Sequence, residues 1–197
     1  MPKVKICGLT NYEDALFAAE CGADALGFVF YKPSPRYIDP RHLAQFIAKL
    51  PPFVTKVGLF VNESSDFINK TVQMLNLDRA QIHFDVDSCF LNSLNVDAVP
   101  VIRAKSPQDL QKFPNHYKIV DSFCHSYGGS GKRLNLEWFD GLSCSKIILA
   151  GGLNAQNVSQ CKPYNFYGVD VSSGVEKQKG IKDSDSVKQF INNAKKF

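Results

Sequence analysis

The chain alternates between two kinds of segment, and this alternation constrains its fold more than any other feature. Short runs rich in Val, Ile and Phe, typical of buried strands, are each followed by a helix-like stretch. The predicted strands are residues 4–7, 25–30, 56–61, 80–84, 98–103, 117–121, 146–150 and 168–172. The predicted helices are residues 11–21, 40–50, 66–75, 88–94, 107–113, 136–142, 155–161 and 184–196. Alternating strands and helices form a parallel sheet covered by helices, and eight such units close into a barrel.

The prediction is therefore an α/β fold, a single small (β/α)8 TIM barrel of phosphate-binding type over residues 1–197. This length is at the small end for such a barrel, so some helices must be short. The alternative is an open doubly wound sheet, which often binds its ligand on a glycine-rich first turn. Here the first turn, residues 7–10, reads CGLT, and the glycine-rich turns come late in the chain. This order favours the barrel. In the first helix, Asn11 is the predicted N-cap, and Gly22 is the predicted left-handed stop.

Composition and charge argue against several classes of protein. Hydrophobic residues make up 44% of the sequence and charged residues 21%, as in ordinary globular proteins. The net charge of +4 is a weak excess that favours a small anionic ligand, and we expect no nucleic acid partner. No apolar run is long enough to span a bilayer, and the first ten residues do not resemble a signal peptide. We therefore expect no membrane association.

The cysteines are spread singly along the chain, and none belongs to a CxxC pair. They are Cys7, Cys21, Cys89, Cys124, Cys144 and Cys161. Without clustered ligands we expect no metal site, and without a nucleotide fingerprint we expect no cofactor. A chain with this much potential core needs no disulfides to fold, so we predict reduced thiols in a cytoplasmic protein.

Two glycine-rich segments follow the last two predicted strands. Gly151 and Gly152 follow the seventh strand, and Ser173 and Gly174 follow the eighth. Glycine lets backbone N–H groups approach a phosphate closely, and in barrels the loops after these two strands are the usual phosphate site. We predict a phosphate site here. Each segment taken alone is also typical of a tight strand-to-helix turn.

A third glycine-rich segment, residues 127–132 with the sequence YGGSGK, follows the sixth strand. It is not a nucleotide-binding P-loop, because Arg133 stands where that motif needs Ser or Thr. Two interpretations stay open: a loop that orders over a ligand, and a plain flexible loop.

Side chains alternate between the barrel interior and the helix layer, and this rule brings polar groups inward. If Val4 and Ile6 face the helices, then Lys5 and Cys7 face the interior. By the same rule Asp121 faces inward at the end of the sixth strand. Cys7 and Asp121 then meet at the C-terminal mouth, where barrel enzymes hold their active sites. A lone cysteine is also a common core residue, whereas an inward carboxylate needs a partner or a task.

Four further polar residues are candidates for this site. Arg36 lies in the segment SPRY after the second strand, and its guanidinium is able to hold a carboxylate with two hydrogen bonds. A solvated loop arginine is the other interpretation of Arg36. Gln81, His83 and Arg103 occupy inward strand positions, where we expect them to pack and hydrogen-bond around the site.

Together these segments resemble the phosphoribosylanthranilate isomerases of tryptophan biosynthesis. The matching strings are KICGLT (5–10), GFVF (27–30), SPRY (34–37), VGLFV (57–61), QIH (81–83), VD (120–121), GGSG (128–131), LAGGL (149–153) and GVDVSSGVE (168–176). They follow the family's order from residue 3 to about 183, and KICGLT and GVDVSSGVE are highly specific in combination. The chain departs from the family at Phe84, where Gly is usual, and at LEW (136–138), where Phe-Asp-Trp is usual. We expect Phe84 to crowd the mouth of the barrel or to line the aromatic end of the substrate.

The resemblance implies an isomerase without a cofactor. It would convert N-(5-phosphoribosyl)anthranilate to 1-(2-carboxyphenylamino)-1-deoxyribulose 5-phosphate by an Amadori rearrangement. The resemblance makes Asp121 the general acid and Cys7 the general base, and it gives Arg36 the substrate carboxylate. We expect burial to raise the pKa of Asp121 and a nearby cation to lower that of Cys7. Lys5 is one candidate cation, unless it pairs with Asp170, which also faces inward.

Two alternatives share most of these features. Other phosphate-binding barrels, similar to indole-glycerol phosphate synthase or to a histidine-pathway isomerase, have the same late glycine loops. A catalytically silent barrel that only binds a phosphorylated metabolite would also keep those loops. The combination of Cys7, Asp121 and the SPRY segment favours the isomerase. Its partner would be a small phosphorylated molecule, and the chain is expected to be a monomer or a homodimer.

Overall fold

The protein forms a closed barrel in a computed structural model that describes residues 1–122 and 133–196. Eight parallel strands follow one another around the barrel in sequence order, and the last is hydrogen-bonded to the first. The strands are β1 (Lys3–Cys7), β2 (Ala25–Val29), β3 (Thr55–Phe60), β4 (Arg79–Ile82), β5 (Ala98–Ala104), β6 (Lys118–Ser122), β7 (Ile147–Leu149) and β8 (Gly168–Val171). The predicted (β/α)8 barrel is confirmed.

The helices depart from the prediction more than the strands do. The α-helices of the described ranges are α1 (Tyr12–Glu20), α2 (Pro40–Ala44), α3 (Ser65–Leu75), α4 (Ser88–Asn92) and α5 (Ser184–Ala194). The helices predicted at 107–113, 136–142 and 155–161 are not α-helices. These positions hold 3-10 segments instead, at Pro107–Gln111, Leu136–Phe139 and Val158–Tyr164. A 3-10 helix rises further per residue than an α-helix, so it returns the chain along a small barrel with fewer residues.

The second predicted helix is also split. Residues 40–50 form α2, followed by a separate 3-10 turn at Ile47–Lys49. The first helix, by contrast, has the predicted ends. The side chain of Asn11 accepts a hydrogen bond from the N–H of Asp14 at 2.8 Å, and Gly22 takes a φ of +97° after the helix. The buried face of α1 carries Ala15 and Ala18, as expected for a short amphipathic helix.

The core has two parts, divided by the strands as the alternation rule predicts. Val4, Ile6 and Val120 belong to the large cluster between the strands and the helices. Cys7 packs inside the barrel with Val29, Leu59 and Val61. A second interior cluster contains Val101, Ile119 and Ala150. Lys5 and Cys7 therefore face inward, as predicted.

A short hairpin that sequence analysis did not predict follows the eighth strand. Its strands β9 (Glu176–Gln178) and β10 (Ile181–Lys182) pair antiparallel, and Gly180 turns between them with a φ of +84°. Thr10 donates its hydroxyl to the carbonyl of Gly180 at 2.5 Å. The carboxylate of Asp14 accepts the backbone N–H of Lys182 at 2.8 Å. The hairpin is thereby fastened to the start of the first helix, beside the mouth of the barrel.

The segments that flank this hairpin are a short turn and the last helix. A 3-10 turn at Ser173–Val175 follows β8, and α5 begins after its N-cap, Asp183. Within the described ranges, no helix is long and apolar enough to cross a membrane.

Candidate active site

A pocket opens at the C-terminal ends of the barrel strands. Most of the predicted site residues line it. They are Cys7, Arg36, Gln81, His83, Asp121, Gly151, Gly152, Asp170, Ser173 and Gly174. The two that do not line the pocket are Lys5, bonded to Asp170, and Arg103, which pairs in register with Asp121 on the neighbouring strand. The fold therefore brings residues from seven of the eight units to one mouth.

The environment of Asp121 lets its carboxyl group keep a proton to a higher pH than an ordinary aspartate does. Burial raises its pKa from 3.8 to about 6, and the neighbouring charge of Asp170 acts in the same direction. The N–H of Ser122 donates to Asp121 Oδ1 at 2.7 Å and opposes part of this rise. Gly151 closes over the carboxyl group: a Cβ at that position would lie 2.5 Å from Oδ1, and its φ is +87°. Both facts require glycine there.

Cys7 is buried at the end of β1, with only 4% of its surface exposed. Burial raises the pKa of its thiol, and the nearby Lys5 lowers it by less. Lys5 Nζ donates to Asp170 Oδ1 at 2.9 Å, and both side chains are buried. Of the two alternatives left open by the sequence, Lys5 therefore pairs with Asp170. The expectation of a Cys7 pKa lowered by a cation is wrong, because burial raises the pKa by more than Lys5, itself paired with Asp170, lowers it.

Three polar residues, His83, Gln81 and Arg103, lie around the site of Cys7 and Asp121, as predicted. Burial, and to a smaller extent the charge of Arg103, lowers the pKa of His83 to about 4. The imidazole is therefore neutral at physiological pH. Gln81 is 2% exposed, and its Oε1 has no hydrogen-bond partner among the described residues. Arg103 faces inward and reaches Asp85 across 3.8 Å. An unpaired amide oxygen beside the pocket is available to a hydroxyl or N–H group of a ligand.

Arg36 is not the solvated loop residue of the alternative interpretation. Its side chain is 12% exposed and forms two parallel hydrogen bonds to Glu176, from Nε to Oε1 at 2.8 Å and from Nη2 to Oε2 at 2.7 Å. Lys182 Nζ donates to Glu176 Oε1 at 3.0 Å. Glu176 and Lys182 were not among the predicted site residues. The one available signal was the position of Glu176 at the end of the GVDVSSGVE string.

The two glycine segments also meet at the mouth. Gly151 and Gly152 both have positive φ values, +87° and +63°, which glycine adopts without strain. A Cβ on Gly174 would overlap the carbonyl oxygen of Leu153, so the two loops touch through their backbones. The N–H groups of Gly152, Ser173 and Gly174 have no acceptor among the described residues. Several unpaired N–H groups that converge on one pocket suit an anion.

The residues at which the chain departs from the family pattern lie elsewhere. Phe84 packs edge-on against Phe90 of α4, with ring centroids 5.4 Å apart, and it is not among the residues that line the pocket. The expectation that Phe84 crowds the mouth or lines the substrate site is therefore wrong. The rings prefer the apolar helix layer. Residues 136–138 lie in a 3-10 turn, where Trp138 packs against the core. The YGGSGK segment, 127–132, lies outside the described residues.

Other side chains of the pocket were not singled out by the sequence. Tyr31, Ser34, Ser122 and Ser172 line it. Their positions depend on loop conformations that no periodic pattern encodes. Among residues 1–122 and 133–196, no group of three His, Cys, Asp or Glu side chains is arranged to hold a metal ion.

The closed barrel, with a polar pocket at the C-terminal ends of its strands, defines a (β/α)8-barrel enzyme. The sequence profile of N-(5'-phosphoribosyl)anthranilate (PRA) isomerase matches residues 4–193. The chain belongs to this family, and the predicted resemblance is confirmed. Its members are isomerases of tryptophan biosynthesis.

Individual relatives agree over the full length of the chain. The N-(5'-phosphoribosyl)anthranilate isomerase of Sulfurovum sp. (strain NBC37-1) is 58% identical over 193 residues, 98% of each chain. The crystal structure of phosphoribosyl anthranilate isomerase from Thermotoga maritima is 39% identical, covers 100% of both chains and has a TM-score of 0.90. A third relative, 38% identical over 100% of both chains with a TM-score of 0.86, was solved in complex with reduced 1-(o-carboxyphenylamino)-1-deoxyribulose 5-phosphate.

Proposed function

We propose that the protein converts N-(5-phosphoribosyl)anthranilate to 1-(2-carboxyphenylamino)-1-deoxyribulose 5-phosphate by general acid–base catalysis. The observation that carries the proposal is the single pocket shared by Cys7, Asp121 and the two glycine loops. The bound reduced product in a relative of the same fold supports the substrate class. The phosphorylated substrate is the partner for which this site is built, and we keep the sequence predictions of a monomer or homodimer in the cytoplasm.

Asp121 is the general acid of this proposal. The ring oxygen of the ribose must gain a proton as the C1–O bond breaks and the anthranilate nitrogen forms an iminium ion. A pKa of about 6 keeps a useful fraction of Asp121 protonated near neutral pH, which an ordinary aspartate would not do. The hydrogen bond from Ser122 and the contact with Gly151 hold the carboxyl group in one place.

Cys7 is the general base. It removes the proton from C2 to give an enolamine, which tautomerises to the ketone of the product. The iminium charge next to C2 acidifies that proton, so the base needs less strength after the ring has opened. Burial favours the neutral thiol, and Lys5 stabilises the thiolate that must form transiently. Each proton transfer of this kind contributes about 10²–10⁴-fold to the rate.

Two anion sites hold the substrate on either side of these groups. The phosphate lies against the N–H groups of Gly152, Ser173 and Gly174, which have no acceptor within the described chain. The anthranilate carboxylate lies at Arg36, which lines the same pocket. Glu176 already occupies one edge of that guanidinium, so the substrate carboxylate must meet another edge.

The experiment is a turnover assay with purified protein and freshly generated phosphoribosylanthranilate, followed by loss of its anthranilate-type fluorescence. Mass spectrometry and reduction with borohydride identify the product as an aminodeoxyketose. We expect catalytic loss of substrate with one product formed per substrate consumed. Tight binding without turnover would instead establish the catalytically silent barrel and refute the proposed function.

A further inference from the structure

Three side chains from distant parts of the chain form a buried charged corner at the rim of the pocket, here called the Arg36–Glu176–Lys182 corner. The exposed fractions of the side chains are 12% for Arg36, 5% for Glu176 and 2% for Lys182. Glu176 stands at the centre: Oε1 accepts from Arg36 Nε at 2.8 Å and from Lys182 Nζ at 3.0 Å, and Oε2 accepts from Arg36 Nη2 at 2.7 Å. Burying ions costs free energy, so a buried cluster of charges like this one indicates a functional role.

The geometry of the Arg36–Glu176 pair decides which edge of the guanidinium is left for a ligand. The carboxylate takes the side edge of the guanidinium, formed by Nε and one hydrogen of Nη2. Both hydrogens of Nη1 and the second hydrogen of Nη2 have no acceptor among the described residues, and one hydrogen from each nitrogen forms the outer edge of the planar group. That edge is able to make a second pair of parallel hydrogen bonds, and Arg36 lines the pocket.

The stem of Arg36 is held as firmly as its head group. A Cβ on Gly8 would lie 2.6 Å from Arg36 Cδ, so the glycine lets the arginine stem lie against the first loop. The backbone N–H of Arg36 donates to Ser34 Oγ at 3.1 Å. With the stem packed and one edge bonded, few rotamers remain for the guanidinium. Its outer edge is therefore pre-organised before a ligand arrives.

Lys182 explains how this corner stays suitable for an anion. An Arg–Glu pair alone is neutral and would attract a carboxylate weakly. Lys182 Nζ donates to the carbonyl of Ser172 at 3.1 Å as well as to Glu176, and an ammonium group has three donors for such bonds. The three groups together then carry one net positive charge. Lys182 also holds the free side of Glu176, so the carboxylate cannot rotate away from Arg36.

We propose that Glu176 is a positioning residue that fixes the guanidinium of Arg36 with its outer edge toward the substrate carboxylate, and that Lys182 secures Glu176. This inference rests on the proposed function, because it assigns the carboxylate of the anthranilate ring to Arg36. Glu176 does not touch the substrate. It sets the direction from which the carboxylate is received, and so it favours substrates with a carboxylate at that end.

The test compares Glu176→Asp with Glu176→Gln. The aspartate keeps the charge but withdraws the carboxylate by about 1.5 Å, one C–C bond, so it cannot bond to Arg36 and Lys182 together. The glutamine keeps the reach but retains only one acceptor oxygen. Glu20→Asp, at an exposed glutamate at the end of α1, is the matched control. Each protein is assayed for KM and kcat. Its affinity is also measured for the reduced product and for the same compound without the carboxylate.

We expect Glu176→Asp to raise KM about tenfold or more, the loss expected when charge-assisted hydrogen bonds are misdirected, and to lower kcat by less. Affinity for the reduced product falls by a similar factor, whereas affinity for the carboxylate-free compound stays within about twofold. Glu176→Gln shows the same selective loss to a smaller extent. In the Arg36→Met background, Glu176→Asp adds no further loss, because its effect passes through Arg36.

Equal losses of affinity for the reduced product and for the carboxylate-free compound would overturn the inference. A KM of Glu176→Asp equal to that of the Glu20→Asp control would overturn it as well. Wild-type turnover of phosphoribosylanthranilate is measured in the same series. If the wild type does not turn the substrate over, the proposed function fails and the inference fails with it. If the wild type is active and Glu176→Asp behaves like the control, only the inference fails. Circular dichroism and thermal melts of each variant separate these outcomes from loss of fold, and Glu176→Gln provides a second variant should Glu176→Asp melt early.

Discussion

The pocket has two proposed anion-binding ends, and they are built in opposite ways. The end at Gly151–Gly152 and Ser173–Gly174 contains no Lys or Arg in its loops and offers backbone N–H groups. The end at Arg36 contains three buried charged side chains joined through Glu176. The first end suits a phosphate, whose oxygens accept hydrogen bonds from several directions. The second suits a planar carboxylate, which pairs with the edge of a guanidinium.

The two ends also differ in what they cost the stability of the fold. Backbone N–H groups carry no full charge, so the glycine end does not bury ions when it is without a ligand. The charged corner does bury ions and stays stable only because each charge has a partner. We therefore expect the glycine end to tolerate changes of neighbouring charge but not of backbone shape. We expect the charged corner to tolerate changes of backbone shape but not of neighbouring charge.

The largest effect on activity is expected at the proton-transfer residues Cys7 and Asp121 rather than at either anion-binding end. Cys7→Ser and Asp121→Asn nearly preserve volume but remove a proton-transfer group, so each should lower kcat by at least about 10²-fold. Both ends stay intact, so affinity for the reduced product should change little. Steady-state kinetics and calorimetric titration measure the two quantities. A kcat within about threefold of wild type would remove the residue concerned from the chemistry.

Arg36→Met should produce the next largest effect, at the charged end alone. Loss of the charge-assisted hydrogen bonds weakens substrate binding by about 10–100-fold. Ribose 5-phosphate, which lacks the aromatic acid, should bind the variant and the wild type alike. Glu176 keeps Lys182 as its partner in this variant, which limits damage to the fold. Equal losses for both ligands would place Arg36 at the phosphate or show general damage to the loop.

Gly174→Ala tests the glycine end. A methyl group here meets the carbonyl of Leu153 and forces the two loops apart, and the N–H groups then diverge. Inorganic phosphate and substrate should both bind about tenfold more weakly, with the ratio between them unchanged. Gly152→Val acts in the same direction because the φ of Gly152 is +63°. The control is Lys177→Gln, which removes an exposed charge of β9 and should matter much less. A larger effect from Lys177 than from Gly174 would mean that side-chain charge holds the phosphate.

The smallest expected effect is on stability, and it depends on pH. The pKa of Asp121 is about 6 in the folded protein against 3.8 ordinarily, so the folded state holds this proton more tightly than the unfolded chain does. Stability is therefore lost as pH rises through the interval from about 4 to about 6. Asp121→Asn removes this loss and should raise stability at pH 8 by about 1–2 kcal/mol, less than the full shift because the pocket is open to solvent. Denaturant melts at pH 4 and pH 8 measure it. A variant that is less stable than wild type at pH 8 would contradict the assigned pKa.

The sequence predicted the glycine end better than the charged end, and the reason is physical. The glycine loops are local: each follows its strand directly, and the strand periodicity fixes which side chains face inward. Lys5, Cys7 and Asp121 were placed correctly for the same reason. The partner of Arg36 lies 140 residues away, in a hairpin whose two short strands carry no periodic signal.

The helices show the same limit. Periodicity indicated where the chain returns between strands, but it did not distinguish α-helices from 3-10 segments, because these segments are too short to establish a period. The environment of Cys7 also depended on a balance of charges. Burial raises the pKa of its thiol by more than Lys5 lowers it, and Lys5 itself is paired with Asp170, 165 residues away. The pattern of one strand does not contain that information.

The most direct test of the two-ended pocket is a crystal structure of this protein with the reduced product bound. The account predicts phosphate oxygens at about 2.8–3.1 Å from the N–H groups of Gly152 and Gly174, and the carboxylate at a similar distance from the outer edge of Arg36. The C2 atom should then lie between Cys7 and Asp121, about 3–4 Å from the thiol. A phosphate gripped by Arg36, or a carboxylate on the glycine loops, would contradict the account.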